Sequence, residues 1–155
     1  MLNWIVNWLK DRRQRVNING KLSSWIEILS GALQGSVLGP LLFLIFINDI
    51  DDGVISKLLK FADDSKVFSS DEVHLQSDLN NLFKWSVDWQ MLFNIDKCVV
   101  LQMGSKNKNN SYNLGCIQLK SIDQEKDLGV TIHKIGKKKQ NNVIWLLIRL
   151  IKFWA

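Results

Sequence analysis

The stretch from Val37 to Ile47 is eleven residues long, nearly uninterrupted in its apolarity, and constrains the chain more than any other feature. It is too short to span a bilayer and suits a helix buried in protein. Pro40 fits the first turn of such a helix, where a missing N–H costs little. The apolar run continues to Ile50, too long for an ordinary strand, and Asp51-Asp52-Gly53 supplies a stop. A buried helix needs partners. The chain offers them, with 155 residues of which 46% are hydrophobic. That content excludes disorder for most of the chain, and the length suits one domain or a piece of a larger one.

The flanking patterns alternate between strand and helix periodicity. Leu2, Ile5, Val6 and Leu9 are spaced as a short helix ending near Asp11. Residues 14–29 read as a β-hairpin around Asn19-Gly20, a strong turn pair. Residues 58–68 place two short apolar arms around Asp63-Asp64, a second hairpin with carboxylates at its tip. Ser69 and Glu72 have capping-box spacing. The helix they open would align Leu75, Leu79, Leu82, Trp89 and Leu92 on one face, with Phe83 beside it. Val99–Met103, Cys116–Leu119 and Leu128–Ile132 read as strands, and residues 104–115 as a polar loop. Val143–Ala155, interrupted by Arg149 and Lys152, reads as an amphipathic helix. Hairpins and helices without regular β-α-β alternation indicate an α+β fold.

Lys and Arg number 20 against 15 Asp and Glu, a net charge of +5. Much of the excess lies in Lys10-Asp11-Arg12-Arg13-Gln14-Arg15 and in Lys134 through Lys139. Such clusters can contact phosphates, or can simply be solvated helix ends and loops. No signal-type apolar region develops at the N-terminus before Asp11. Cys98 and Cys116 are too few for a disulfide scaffold or a zinc site and are expected to be reduced, buried and inert.

Two features carry chemistry. Paired carboxylates at a hairpin tip can bind Mg²⁺, which takes a few carboxylate oxygens together with water and phosphates. Adjacent strand residues point to opposite faces, however, so a second element must supply a carboxylate facing the first. Taken alone, an Asp-Asp turn is only a turn. The second feature is Gln34-Gly35-Ser36 before the apolar helix. Gly35 permits close backbone approach, Gln34 can hydrogen-bond a base or sugar, and a helix N-terminus attracts phosphate.

Taken together, Ser30 through Ile50 with Gln34-Gly35, followed by Phe61-Ala62-Asp63-Asp64, closely resemble the reverse transcriptase of non-LTR retrotransposons, in particular jockey-like mobile elements. Trp8–Arg12, Gln14–Gly20, Ser24-Trp25, Trp85–Trp89, Phe93-Asn94, Lys97-Cys98 and Asp127–Val130 extend the resemblance over residues 4–132. It implies an RNA-directed DNA polymerase that joins deoxynucleoside triphosphates to a primer 3′-hydroxyl on an RNA template. Mg²⁺ is the implied cofactor, with Mn²⁺ as the alternative, and an intracellular site in nucleus or cytoplasm is implied with no membrane partner. Asp63 is then the main metal ligand and Asp64 the second. Gln34 and Gly35 line the pocket where nucleotide meets template, and Phe61, at a usually Tyr position, packs beside the primer end. Lys97 resembles a lysine that neutralises or protonates pyrophosphate, or is an exposed loop lysine. Asp49, which also matches a family residue, reads as structural at a helix end.

The resemblance has gaps. Leu33 stands where a proline is usual. The family's first aspartate motif has no counterpart, since residues 1–30 hold only Asp11 and Glu27 among acids. The expectation is therefore a partial palm over residues 1–132, with residues 133–155 a basic linker and the start of a thumb. Its sheet is expected to lack a central strand and to expose an apolar edge. Such a chain is not expected to polymerise alone. The alternatives are a non-catalytic nucleic-acid-binding remnant that uses the basic clusters, and a poorly folded product.

Overall fold

The computed structural model describes residues 2–32, 35–104, 107–134 and 143–150. They form helices α1 (Leu2–Leu9), α2 (Leu38–Phe46) and α3 (Glu72–Asp88), with strands between and after them. The fold is α+β. Two compact units divide it, one over Met1–Ile47 and one over Asn48–Ile151.

In the first unit the expected hairpin forms in two steps. Strand β1 (Arg13–Gln14) pairs with β4 (Ile26–Glu27), and β2 (Asn17–Ile18) pairs with β3 (Lys21–Leu22). Asn19 and Gly20 make the turn with φ of 49° and 81°, a left-handed pair that Asn and Gly tolerate best. Arg12 leaves the phosphate-ready group, because its guanidinium donates to the carbonyls of Leu9 and Gly31. Helix α2 begins as its sequence indicates, with Ser36 Oγ accepting from Gly39 N–H at 3.0 Å. It stops at Phe46 rather than Ile50, where residues 47–53 turn.

The second unit is built on a five-stranded sheet. Its strands are β5 (Lys57–Phe61), β6 (Asp64–Ser69), β7 (Val99–Met103), β10 (Lys120–Ser121) and β13 (Val143–Arg149), in the order β10-β7-β13-β6-β5. Two small antiparallel pairs complete it: β8 (Asn113–Leu114) with β9 (Ile117–Gln118), and β11 (Gln124–Asp127) with β12 (Val130–His133). Helix α3 packs against β6. It starts two residues later than the capping-box reading. Asp71, not Ser69, is the N-cap, and its carboxylate accepts from Val73 and His74 N–H at 2.9 and 3.1 Å. Those two bonds, His74 first, hold the Asp71 carboxyl below its ordinary 3.8. Leu75, Leu79 and Leu82 are buried as expected, but the helix ends at Asp88, so Trp89 and Leu92 lie beyond that face and are exposed.

The largest correction concerns residues 143–155. No amphipathic helix forms over the described part of this segment. Residues 143–149 are a strand, with Ile144 to Ile148 buried, and residues 151–155 lie outside the described residues. A strand covered on both faces is apolar at every position, so its sequence loses the two-residue alternation and resembles a buried helix. This strand pairs antiparallel with β6 and with β7. The expected gap in the sheet is thus filled, and the apolar edge of β6 is covered rather than open.

Register sorts the side chains onto two faces. Trp145 lies opposite Phe68 and Leu101, and Leu147 opposite Lys66 and Val99. Trp145, Leu147 and Leu101 form a core cluster joined by Phe68, Val99, Met103, Ile122 and Ile132. Val67, Ile144, Leu146, Ile148 and Val100 are buried on the other face. Gly115, in the turn between β8 and β9, has φ of 63°, and an added Cβ there would lie 2.6 Å from Phe83 Cζ. Gly115→Ala is expected to cost about 2–4 kcal/mol from the left-handed backbone and the ring overlap, read as a lower urea midpoint at unchanged slope. No helix among the described residues is long and apolar enough to cross a membrane.

Candidate functional site

The hairpin β5–β6 carries Phe61-Ala62-Asp63-Asp64 at its tip. Phe61 closes β5 opposite Asp64, and Ala62 turns the chain with φ of 50°. The entry to β5 is set by α3. The fully buried Asp78 carboxylate accepts from Ile55 N–H at 2.8 Å and Ser56 N–H at 2.9 Å. Asn81 Nδ2 donates to the Gly53 carbonyl at 2.7 Å. The base of the hairpin is therefore held by side chains that pattern reading did not single out. Their signal was faint: Asp78 is a polar residue one position before Leu79 on the buried face.

The acidic residues between 49 and 64 do not act as one group. Asp49 accepts from Trp85 Nε1 at 2.9 Å, the structural role expected of it. Asp51 pairs with Lys60 at 2.8 Å, and that hydrogen bond holds its carboxyl below the ordinary 3.8. Asp64 turns onto the face covered by β11–β12, where Arg149 Nε donates to its Oδ1 at 2.8 Å. The other end of the same guanidinium lies 3.8 Å from Glu125 Oε1. Next along β6, Lys66 makes a buried ion pair with Asp127 at 2.7 Å. Asp63 lies exposed in the turn, and its side chain makes no hydrogen bond or ion pair among the described residues. Asp64 is thus engaged within the fold, while Asp63 stays exposed in the turn.

Phe61 is exposed at the tip. Lys97 is exposed in a single 3-10 turn, Ile95–Lys97, and no hydrogen bond or ion pair joins it to Asp63 or Asp64 among the described residues. Gly35 is exposed in the first unit with φ of 82°, a left-handed conformation that accounts for glycine at that place. Gln34 lies outside the described residues, as do Lys137 through Lys139 of the second basic run.

Among the described residues no three His, Cys, Asp or Glu side chains converge as a metal ion would require. With Asp63 in solvent and Asp64 bound to Arg149, this arrangement does not fit the expected Mg²⁺. Arg149 itself was missed in the sequence, where it counted only as an interruption of an apolar helix. Cys98 is buried and donates to the Asn94 carbonyl at 3.2 Å, and burial pushes its thiol up to about 11. Its burial agrees with the expectation. Cys116, by contrast, is exposed.

Comparison with known proteins identifies the family. Residues 1–144 match the family described as reverse transcriptase (RNA-dependent DNA polymerase). A curated relative, the RNA-directed DNA polymerase from mobile element jockey of Drosophila melanogaster, is 28% identical over 110 residues, which cover 61% of this chain. The match spans 12% of the relative's length. No solved structure matches the chain. The family match runs through both the glutamine-glycine segment and the Asp63-Asp64 hairpin, and the chain belongs to the reverse transcriptase family.

Proposed function

We propose that this chain supplies most of the palm of a mobile-element RNA-directed DNA polymerase, with its catalytic edge at the tip of β5–β6. The whole enzyme would join a deoxynucleotide to a primer 3′-hydroxyl on an RNA template and release pyrophosphate. Asp63 is proposed as the principal metal-side carboxylate and Asp64 as the second. Phe61 would lie beside the primer end, Gln34 and Gly35 beside nucleotide and template, and Lys97 near the departing pyrophosphate. The observation that carries this reading is the position of Asp63: an exposed carboxylate on a tight hairpin whose base is fixed by the buried Asp78. Rigid placement of charge is what phosphoryl transfer asks of a protein.

The test is a graft. Residues 48–103 of this chain would replace the aligned segment of the jockey polymerase, and primer extension on RNA would be measured. The graft is expected to polymerise, and Asp63→Ala within it to lower the rate by about a thousandfold or more. A graft that folds and binds template-primer but extends nothing would sink the proposal. The ungrafted 155-residue chain is expected to extend no primer, because Asp64 is engaged by Arg149.

A second reading, nucleic-acid binding without catalysis, has one observation behind it. Arg15 stacks 4.4 Å over the exposed Trp25, on a hairpin that also exposes Arg13 and Lys21. RNA binding by the ungrafted chain that falls steeply with salt and ignores Asp63→Ala would favour it.

A further inference from the structure

We infer that Arg149 stands in for a metal ion at Asp64, so that the docked strand β13 and a divalent cation at the hairpin exclude one another. This rests on the reading of Asp63-Asp64 as the polymerase carboxylates. It goes beyond that reading by naming a residue of the chain that opposes their use.

The geometry is specific. Strand register sets Arg149 directly across from Asp64. The guanidinium contacts Asp64 at 2.8 Å and lies 3.8 Å from Glu125, so two carboxylates from different strands share one cation. Arginine cannot shed its proton to make way for a metal ion. The backbone on either side of it is tied as well. Asn94 N–H donates to the Arg149 carbonyl at 2.7 Å, and Leu150 N–H donates to the Asp63 carbonyl at 3.0 Å. Phe93 and Leu150 form a further β-bridge. The end of β13 therefore seats its charge against Asp64 and anchors the turn that carries Asp63.

A carboxylate that already accepts a charge-assisted hydrogen bond is a poor ligand for a second cation, and the fixed guanidinium repels any ion brought beside it. The other cation on this face offers no relief, because Lys66 is held by Asp127. A metal ion can reach Asp64 only if Arg149 withdraws, and the backbone ties mean that withdrawal also loosens the last residues of β13.

Mn²⁺ binding to the purified full chain, followed by the electron paramagnetic resonance of the free ion, tests this. Arg149→Gln is expected to bind Mn²⁺ about tenfold or more tightly than the native chain, the scale of one charge-assisted hydrogen bond. Arg149→Lys, which keeps the charge, is expected to match the native chain, and Arg149→Gln with Asp64→Asn is expected to lose the gain. Equal affinity of folded Arg149→Gln and native chain would overturn the inference. Should Arg149→Gln fail to fold, hydrogen exchange of the native chain decides. Mn²⁺ that binds in an Asp64-dependent way while amides 143–149 stay protected overturns the inference. No Asp64-dependent binding, or binding only as those amides open, upholds it. The outcomes separate from those of the graft, which lacks Arg149. A gain of Mn²⁺ by Arg149→Gln with an inactive graft would remove the polymerase reading alone, and an active graft with no gain would remove this inference alone.

Discussion

A chain ended after residue 142 is expected to lose the cooperative unfolding of its second unit altogether. Strand β13 lies between β6 and β7, registered on six residues of the first and five of the second. Removing it leaves the facing N–H and C=O groups of both neighbours without partners and uncovers the core around Leu101. Ile144, Trp145, Leu146, Leu147 and Ile148 are all at most 2% exposed. Burying side chains of this size contributes about 1.5–3 kcal/mol each. The five together contribute on the order of 10 kcal/mol, which rivals the whole stability of a typical domain, about 5–15 kcal/mol. The measurement is a thermal melt with dye binding. A broad melt with strong dye binding is expected. A sharp melt within a few degrees of the native chain would show that β13 does not hold the sheet.

Asp78→Ala is expected to be the most damaging single substitution outside the sheet. The carboxylate is fully buried on α3 and satisfies two backbone N–H groups, those of Ile55 and Ser56. Alanine leaves both donors without their acceptor, Ser56 on a half-buried residue and Ile55 on an exposed one. Each unsatisfied group costs about 1–3 kcal/mol, so the loss should reach about 2–5 kcal/mol. Asp78→Asn keeps one acceptor oxygen and is expected to lose roughly half as much. Chemical denaturation of the three chains checks the order. A functional consequence follows, since the same two bonds set the start of β5. In the grafted polymerase, Asp78→Ala should lower activity even at temperatures where the protein remains folded. Equal stability of all three chains would mean that the carboxylate contributes nothing to placing the hairpin.

Much of this organisation is visible in the residues themselves. Both hairpins announce themselves through turn pairs flanked by apolar arms, and the Leu75, Leu79, Leu82 stripe has a helical period that nothing contradicts. The helix start was misplaced by two residues because Ser69 and Asp71 are both good caps; Ser69 Oγ instead bonds Asp71 N–H and its carbonyl within the preceding turn. Strand β13 was misread for a deeper reason. Its place in the middle of a sheet erases the periodicity that would identify it, and only the long-range partners β6 and β7 reveal its state. The site divides along the same line. Asp63, Asp64 and Phe61 are legible because they are contiguous. Arg149 is 85 residues from Asp64 in the chain, and no local pattern joins two such positions.

The order of strands in the sheet also has a consequence for synthesis. Strand β13 sits at the centre, yet its residues leave the ribosome after those of every other strand of that sheet. Between the completion of β7 at Met103 and the arrival of Val143, translation at about 5–20 residues per second takes roughly 2–8 s. During that interval β6 and β7 lack the strand that separates them, and both present unpaired edges. The nascent chain is thus most exposed to wrong pairing, with itself or with a neighbour on the same message, just before the one strand that closes the sheet emerges.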